Sequence, residues 1–140
     1  MKILIVDGQG GGIGRQLVEA LKREGERDIT CVGTNAIATS AMLRAGATRA
    51  ATGENAAIVA CREAEVIVGP IGIVVADALL GEVTPRMAAA VGQSLARKVL
   101  IPVNQCGNFV VGVPSGATTA QLVAQAVEVI LHPAEGDAKS

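Results

Sequence analysis

A strand, a run of glycines and a helix follow one another at the start of the chain, and this order constrains the fold more than any other feature. Residues 3–6 are all apolar, which predicts a buried β-strand over residues 2–6. Five of the seven residues from Gly8 to Gly14 are glycine. Residues 12–23 then carry apolar side chains at helical spacing, namely Ile13, Leu17, Val18 and Leu21. The start of the chain therefore predicts a strand that turns tightly into a helix.

Strands and helices continue to alternate along the rest of the chain. Further strands are predicted at residues 29–32, 48–51, 66–69, 99–103 and 109–113. Further helices are predicted at residues 35–45, 54–63, 71–80 and 84–95, and a last helix opens at the capping box of Thr118 and Gln121. This alternation predicts a Rossmann-like three-layer α/β sandwich with a mostly parallel sheet of about five to six strands. We expect one domain over residues 1–132 and a disordered tail over residues 133–140.

The composition suits a sheet that is buried on both faces. Half of the 140 residues are hydrophobic, 18% are charged, and the aromatic residues amount to a single phenylalanine. The net charge of −1, without a basic patch, argues against nucleic acid as a partner. The most apolar run, residues 66–81, is too short for a membrane span. Three widely spaced cysteines and the lack of a signal-peptide pattern predict a cytoplasmic protein.

The glycine run also predicts a binding site for an anion. The first backbone N–H groups of a helix point outward, and the helix dipole adds roughly half a positive charge there. A glycine leaves room for a phosphate, whereas a Cβ atom would keep it away from the backbone. We therefore interpret the loop as a nucleotide-binding segment with these contacts: Asp7, Gly8, Gln9, Gly10, Gly11, Gly12, Ile13 and Gly14. The alternative is a tight turn without a ligand.

Three further loops are expected at the same edge of the sheet, because ligands of such folds bind at the carboxyl ends of the strands. Two of these loops supply the predicted contacts Thr34, Asn35, Gly69, Pro70 and Ile71, and the third runs from Asn104 to Gly107. Second-rank contacts are Glu54, Asn55 and Glu82. Connecting loops are rich in such residues without any ligand as well, which is the alternative interpretation.

The end of the second strand lacks the acidic residue that usually binds the ribose in NAD sites. The chain has Gly33-Thr34-Asn35 at that place. Either Thr34 and Asn35 hold the ribose, or the cofactor is not NAD. Asp7, at the end of the first strand, could bind a ribose hydroxyl, a metal or an amide group of the ligand. It could equally cap N–H groups of its own loop, as aspartate does in turns.

Two resemblances to known families accompany these patterns. The spacing of Gly8, Gly12, Ile13 and Gly14 resembles the cofactor loop of short-chain dehydrogenases/reductases, which implies NAD or NADP as cofactor. The whole chain also resembles an uncharacterised bacterial family of small Rossmann-like proteins, a domain of unknown function. The stretches that carry this second resemblance are residues 7–14, 33–36, 39–42, 52–56, 68–72 and 81–87. It implies a Rossmann-like fold and no particular activity.

Several residues that known enzymes of such folds need are absent from the sequence. Short-chain dehydrogenases use a catalytic tyrosine, and this chain has none. No Gly-Lys-Ser/Thr phosphate loop occurs either. The single histidine, His132, and the three cysteines lack the spacing of a metal site, so we expect no metal. The catalytic candidates that remain are Asp7, Asn104 and the loop thiol of Cys106, whose pKa a nearby helix N-terminus would lower.

These observations together favour a protein that binds a nucleotide similar to NAD(P). Its role would be sensing or regulation, without the ordinary catalysis of a dehydrogenase. The alternative is an enzyme of unfamiliar chemistry that acts on a nucleotide or a small metabolite. A homodimer is also expected. Residues 71–80 contain one charged residue, Asp77, and a helix of that composition would leave an apolar surface for a second copy to cover.

Overall fold

Five strands and five α-helices alternate along the chain in the computed structural model, which describes residues 1–103 and 107–134. The strands are β1 (Ile3–Asp7), β2 (Ile29–Gly33), β3 (Arg49–Thr52), β4 (Val66–Pro70) and β5 (Arg97–Ile101). The helices are α1 (Gly12–Arg23), α2 (Ala36–Ala45), α3 (Glu54–Cys61), α4 (Pro85–Gln93) and α5 (Thr119–Leu131). This alternation confirms the α/β class that the sequence predicts.

All five strands are parallel and form one sheet in the order β3-β2-β1-β4-β5. Ile3 of β1 pairs with Ile29 of β2 on one side and with Val66 of β4 on the other. The chain therefore builds the sheet outward from β1 in both directions, and the strand order reverses between β1 and β4. Ligands of open α/β sheets bind at such a reversal, outside the carboxyl ends of the strands.

Helices cover both faces of the sheet, as expected for a Rossmann-like sandwich. Alternate residues of β1 point to opposite faces, so Ile3 and Ile5 join the core beneath α1, α2 and α5. Leu4 and Val6 join the core beneath α3 and α4. Both cores are aliphatic and consist mainly of Ile, Val, Leu and Ala. Among the helices of the described residues, none has the length and apolar character that a membrane span requires.

The prediction of a helix over residues 71–80 is wrong. The structure has a short 3₁₀ turn, Ile71–Val74, followed by a loop. Asp77, Leu79 and Leu80 have φ values of 66°, 56° and 57°, in the left-handed region that a helix cannot contain. The run is apolar because Ala78, like Leu79, is buried against the protein itself. The helical surface on which the expected dimer was based is therefore absent, and the dimer stays a prediction.

The region after β5 also differs from the prediction. Residues 109–113 do not form a strand, and Phe109 and Val111 are exposed there. The capping box that opens α5 is present: Thr118 Oγ1 accepts from the Gln121 N–H at 3.1 Å, and the Thr118 N–H donates to Gln121 Oε1 at 2.9 Å. Asn104 and Cys106, and most of the predicted tail, lie outside the described residues.

Candidate functional site

Asp7 holds the glycine loop together from inside the protein. Its side chain is buried, with a relative exposure of 4%. Oδ1 accepts a hydrogen bond from the Gly8 N–H at 2.8 Å, and Oδ2 accepts one from the Gly14 N–H at 2.7 Å. Burial raises the pKa of Asp7, while the hydrogen bonds from Gly14 and Gly8 act in the opposite direction. Of its two interpretations, the capping of loop N–H groups is what the geometry shows.

The predicted binding glycines fall into two groups. A Cβ atom at Gly8 would overlap Thr34, one at Gly14 would overlap Met42, and one at Gly69 would overlap the Val6 carbonyl oxygen. These three glycines are explained by internal packing. Gly11 has a φ of 74° and forms the N-cap of α1, so it too has a structural reason.

Gly10 and Gly12 form the second group, and no internal contact explains them. A Cβ atom at either position would have no protein atom within 4 Å. Both residues are exposed. Within residues 1–103 and 107–134, no acceptor pairs with the backbone N–H of either residue. Two free donors and empty space above them are the arrangement that an approaching anion needs.

A cavity of about 220 Å³ lies directly over these two glycines. It is lined by residues 7–13 together with Gln16, Pro70, Leu79 and Thr119. Pro70 ends β4, so the cavity sits at the reversal of strand order between β1 and β4. Gly12 begins α1 and Thr119 begins α5, so the N-termini of two helices meet at one cavity. The partial positive charges of both dipoles therefore act on the same space.

The contribution of α5 was missed at the sequence level. Thr118 and Gln121 identify where the helix begins, but the capping box does not indicate which loops lie beside it. The position follows from the topology, because the helix after a parallel strand starts on the carboxyl-end side of the sheet. Gln16 and Leu79 were missed for a related reason, since both reach the cavity from segments that the sequence predicts to be ordinary helix.

Glu82 joins the loops that follow β1 and β2. Its Oε1 atom accepts hydrogen bonds from the Thr34 hydroxyl at 2.6 Å, from Asn35 Nδ2 at 2.8 Å and from the Gln9 N–H at 2.8 Å. Asn35 Nδ2 also donates to the Gln9 carbonyl oxygen at 2.9 Å. The hydrogen bond from Thr34 is the largest cause of a lowered pKa at Glu82. Glu82, a second-rank contact in the sequence analysis, thus places a carboxylate at the end of β2.

A second cavity, of about 420 Å³, begins where the first one ends. Gly10 lines both cavities. The second is lined otherwise by residues of α2: Ala36, Ile37, Ser40, Ala41 and Arg44. Its surface combines exposed apolar carbon with one cation, Arg44. Together the two cavities reach the range of about 300–1,000 Å³ that is typical of sites for small organic ligands.

The remaining predicted contacts lie away from these two cavities. Glu54 accepts a hydrogen bond from the Thr84 hydroxyl at 2.7 Å and lies 4.0 Å from Arg86, which ties the starts of α3 and α4 together. Asn55 is exposed in the first turn of α3. Ile71 is half-buried in the 3₁₀ turn and lines neither cavity.

Larger grooves occur on the flanks of the molecule rather than at the strand ends. Two of them hold about 520 Å³ between α3 and α4 and about 540 Å³ beside β2 and β3. The described residues contain no group of three or more His, Cys, Asp or Glu that could hold a metal ion. Cys31 and Cys61 are buried, and burial raises the pKa of the Cys31 thiol to about 12.

Comparison with known proteins places the chain in a family and assigns no activity. Residues 2–135 match the model of a family described as a domain of unknown function (DUF3842). The chain belongs to this family. No curated protein matches it, and no solved structure does. The DUF3842 chain therefore has a family and a fold, and its function must be argued from the cavities themselves.

Proposed function

We propose that this DUF3842 protein binds a nucleotide, with a phosphate group in the cavity over Gly10 and Gly12. The observation that carries the proposal is the meeting of two helix N-termini, those of α1 and α5, at two glycines whose N–H groups have no partner among the described residues. A phosphate there would accept hydrogen bonds from Gly10 and Gly12 and would be stabilised by both helix dipoles.

The residues present fit a ligand of the NAD(P) type in three respects. The phosphate cavity lies at the reversal of strand order, where dinucleotides bind in Rossmann folds. A carboxylate, Glu82, stands at the end of β2. The second cavity offers the apolar surface of α2 to a base or nucleoside. When bound, such a cofactor would supply hydride chemistry, while the chain would supply binding and orientation.

A role in sensing or regulation is the form of this function that the side chains support. Among the described residues, Asp7 is the one carboxylate that lines the phosphate cavity, and both of its oxygens accept hydrogen bonds from Gly8 and Gly14. The sequence has no tyrosine for dehydrogenase catalysis. We further infer that the protein acts in the cytoplasm, where buried free thiols such as Cys31 and Cys61 stay reduced.

Titration calorimetry with NAD, NADP and the four common ribonucleoside diphosphates tests the proposal. Gly12→Val would place a branched side chain in the phosphate cavity. We expect it to lower the affinity for the bound nucleotide at least about tenfold, because hydrogen bonds to a charged group are each worth about 1.5–3 kcal/mol.

Gly92→Val is the matched control, since Gly92 also lies in a helix, α4, with no atom within 4 Å of an added Cβ. It should bind nucleotide as the wild type does. The proposal is wrong if none of the six nucleotides binds the wild type, or if Gly12→Val binds as tightly as Gly92→Val.

A further inference from the structure

Resting on the proposed nucleotide function, we propose that Glu82 recognises the ribose of the ligand, so that the protein selects ribonucleotides with free 2′- and 3′-hydroxyls. In Rossmann folds that bind NAD, the ribose-binding acid ends the second strand. Here β2 ends at Gly33 and carries no acid. The carboxylate comes instead from the loop between β4 and α4, and it reaches the end of β2 through Thr34 and Asn35.

The position of Glu82 matches the path of a nucleotide through the two cavities. Gly10 is the point where the cavities meet. Glu82 is bonded to the N–H of the preceding residue, Gln9, and to the side chain of Asn35, which precedes Ala36 of the second cavity. Glu82 itself lines neither cavity, but its hydrogen bonds place it beside Gln9 of the first cavity and Asn35, next to the second. A ligand with its phosphate in the first cavity and its base in the second would bring its sugar to the junction at Gly10, next to this carboxylate.

The free oxygen of Glu82 has the chemistry that a diol requires. Three donors occupy Oε1, which fixes the carboxylate, whereas no residue in the described parts of the chain donates to Oε2. Glu82 is half-buried, so part of its side chain is open to solvent. An ionised carboxylate only accepts hydrogen bonds, and the hydroxyls of a ribose are donors. A 2′-deoxy sugar lacks one donor, and a 2′-phosphate brings a like charge.

The backbone that carries Glu82 is built to hold it in place. Asp77, Leu79 and Leu80 all adopt left-handed conformations, which cost energy for residues other than glycine. The Asp77 N–H donates to the Val83 carbonyl at 2.7 Å, and the Val83 N–H donates to the Ala78 carbonyl at 3.1 Å, which closes the loop on itself. Arg44 is eight residues beyond Ala36, about 12 Å along α2, and within the described residues it forms no ion pair with Glu82.

The test compares ribonucleoside diphosphates of the four bases with their 2′-deoxy counterparts by titration calorimetry. For the base that binds, the wild type should prefer the ribose form by roughly ten- to a hundredfold, the range for a hydrogen bond to a charged group. Glu82→Gln should reduce the preference to about threefold or less. Glu54→Gln is the control, because Glu54 is also bonded to a threonine hydroxyl but, unlike Glu82, contacts no described residue that lines either cavity.

The results separate this inference from the nucleotide function on which it rests. Equal binding of ribose and 2′-deoxy forms by the wild type would overturn the role of Glu82 and leave the phosphate site standing. If folded Glu82→Gln keeps the full wild-type preference for ribose over 2′-deoxyribose, the role of Glu82 is likewise overturned and the phosphate site stands. No binding of any diphosphate would overturn both proposals. The wild-type comparison needs no variant, so it can overturn the inference even if Glu82→Gln fails to fold.

Discussion

Asp7 and Gly14 are joined across the glycine loop by a 2.7 Å hydrogen bond between the carboxylate Oδ2 and the backbone N–H. Gly14 is the third residue of α1, so the side chain at the end of β1 caps the helix that follows the loop. Oδ1 binds the N–H of Gly8 at 2.8 Å. The acid therefore fixes the shape of the loop, and the donors at Gly10 and Gly12 remain for a ligand.

Asp7→Asn should change how the stability depends on pH. Because the pKa of Asp7 is raised in the folded state above its ordinary value of 3.8, the folded state binds the proton more tightly than the unfolded state does. The free energy of unfolding should therefore fall as the pH rises from 3.8 through the raised pKa of Asp7. Asp7→Asn should lack this fall, which urea unfolding at a series of pH values measures.

Glu82→Gln provides the control of opposite sign. The pKa of Glu82 is lowered from 4.5, so its stabilisation is present above that value and is lost as the pH falls through the folded pKa. In Glu82→Gln, the free energy of unfolding should therefore depend less on pH at acid pH than it does in the wild type. If the free energy of unfolding depends on pH in the same way for the wild type and Asp7→Asn between about pH 4 and 7, burial does not raise the pKa of Asp7 as stated.

Much of this fold could be predicted because its signals are local. The glycine run after residues 3–6, the helical spacing after Gly12 and the capping box at Thr118 each report on a few neighbouring residues, and all three are confirmed. The segment 71–80 failed because an apolar run has no period that separates a buried loop from a buried helix. Tertiary packing imposes the left-handed backbone conformations of this segment, such as those of Leu79 and Leu80.

The candidate site could be predicted only in outline. The sequence indicates the loop from Asp7 to Gly14 as a candidate because glycines mark the close approach of another group. Which glycines serve packing became visible only with their neighbours, such as Met42 beside Gly14. Glu82 approaches Thr34 from 48 residues away in the sequence, and no local pattern reports such a contact.

Gly14→Ala should destabilise the protein by about 1–3 kcal/mol, because the added methyl would overlap the Met42 side chain. Met42 is fully buried, so Met42→Ala alone should cost about 2–5 kcal/mol. The double variant should cost clearly less than the sum, since the smaller side chain makes room for the methyl. Chemical denaturation of the four proteins measures this coupling. If the two single-variant costs add up to the cost of the double variant, packing against Met42 is not the reason that residue 14 is glycine.

Thr118→Ala should weaken nucleotide binding as well as the fold. Loss of the N-cap should cost about 1 kcal/mol of stability, and fraying of the first turn of α5 should lower the affinity about two- to fivefold. Thr84→Ala removes the N-cap of α4, which does not line the phosphate cavity. It should lower the melting temperature without changing the affinity. Equal nucleotide affinities of Thr118→Ala and Thr84→Ala would show that the N-terminus of α5 does not contribute to binding.

Cys31 and Cys61 should resist alkylation in the native protein. Both are buried, and burial raises the pKa of each thiol, to about 12 for Cys31. Thiolate is the reactive form, so Cys106, which the sequence places in a loop, should be modified first by iodoacetamide at neutral pH. Peptide mass spectrometry after partial labelling reads the order. Earlier labelling of Cys31 would contradict its burial in β2.

The homodimer expected from the sequence needs a different surface from the one first indicated. Ala78 is buried, so a charge there would unfold the chain rather than separate two copies. Leu80 and Leu95 are fully exposed, at 97% and 104%. They lie at opposite ends of the sheet, since Leu80 follows β4 and Leu95 precedes β5. Leu95 also borders the groove between α3 and α4, where alanine side chains lie beside Arg62 and Arg86. In a homodimer with a two-fold axis, Leu95 of each copy would occupy this groove of the other.

We therefore expect light scattering at micromolar concentration to give twice the chain mass of 14.1 kDa. Leu95→Lys should yield the monomer, because it removes the apolar side chain and brings a further cation to a groove that Arg62 and Arg86 already line. Leu80→Lys should leave the dimer intact. Each substitution exchanges one exposed leucine for lysine, so a general effect of charge would appear in both. A wild-type mass of one chain would rule out the dimer. Separation by Leu80→Lys alone would instead place the contact at the carboxyl ends of the strands, beside the proposed nucleotide site.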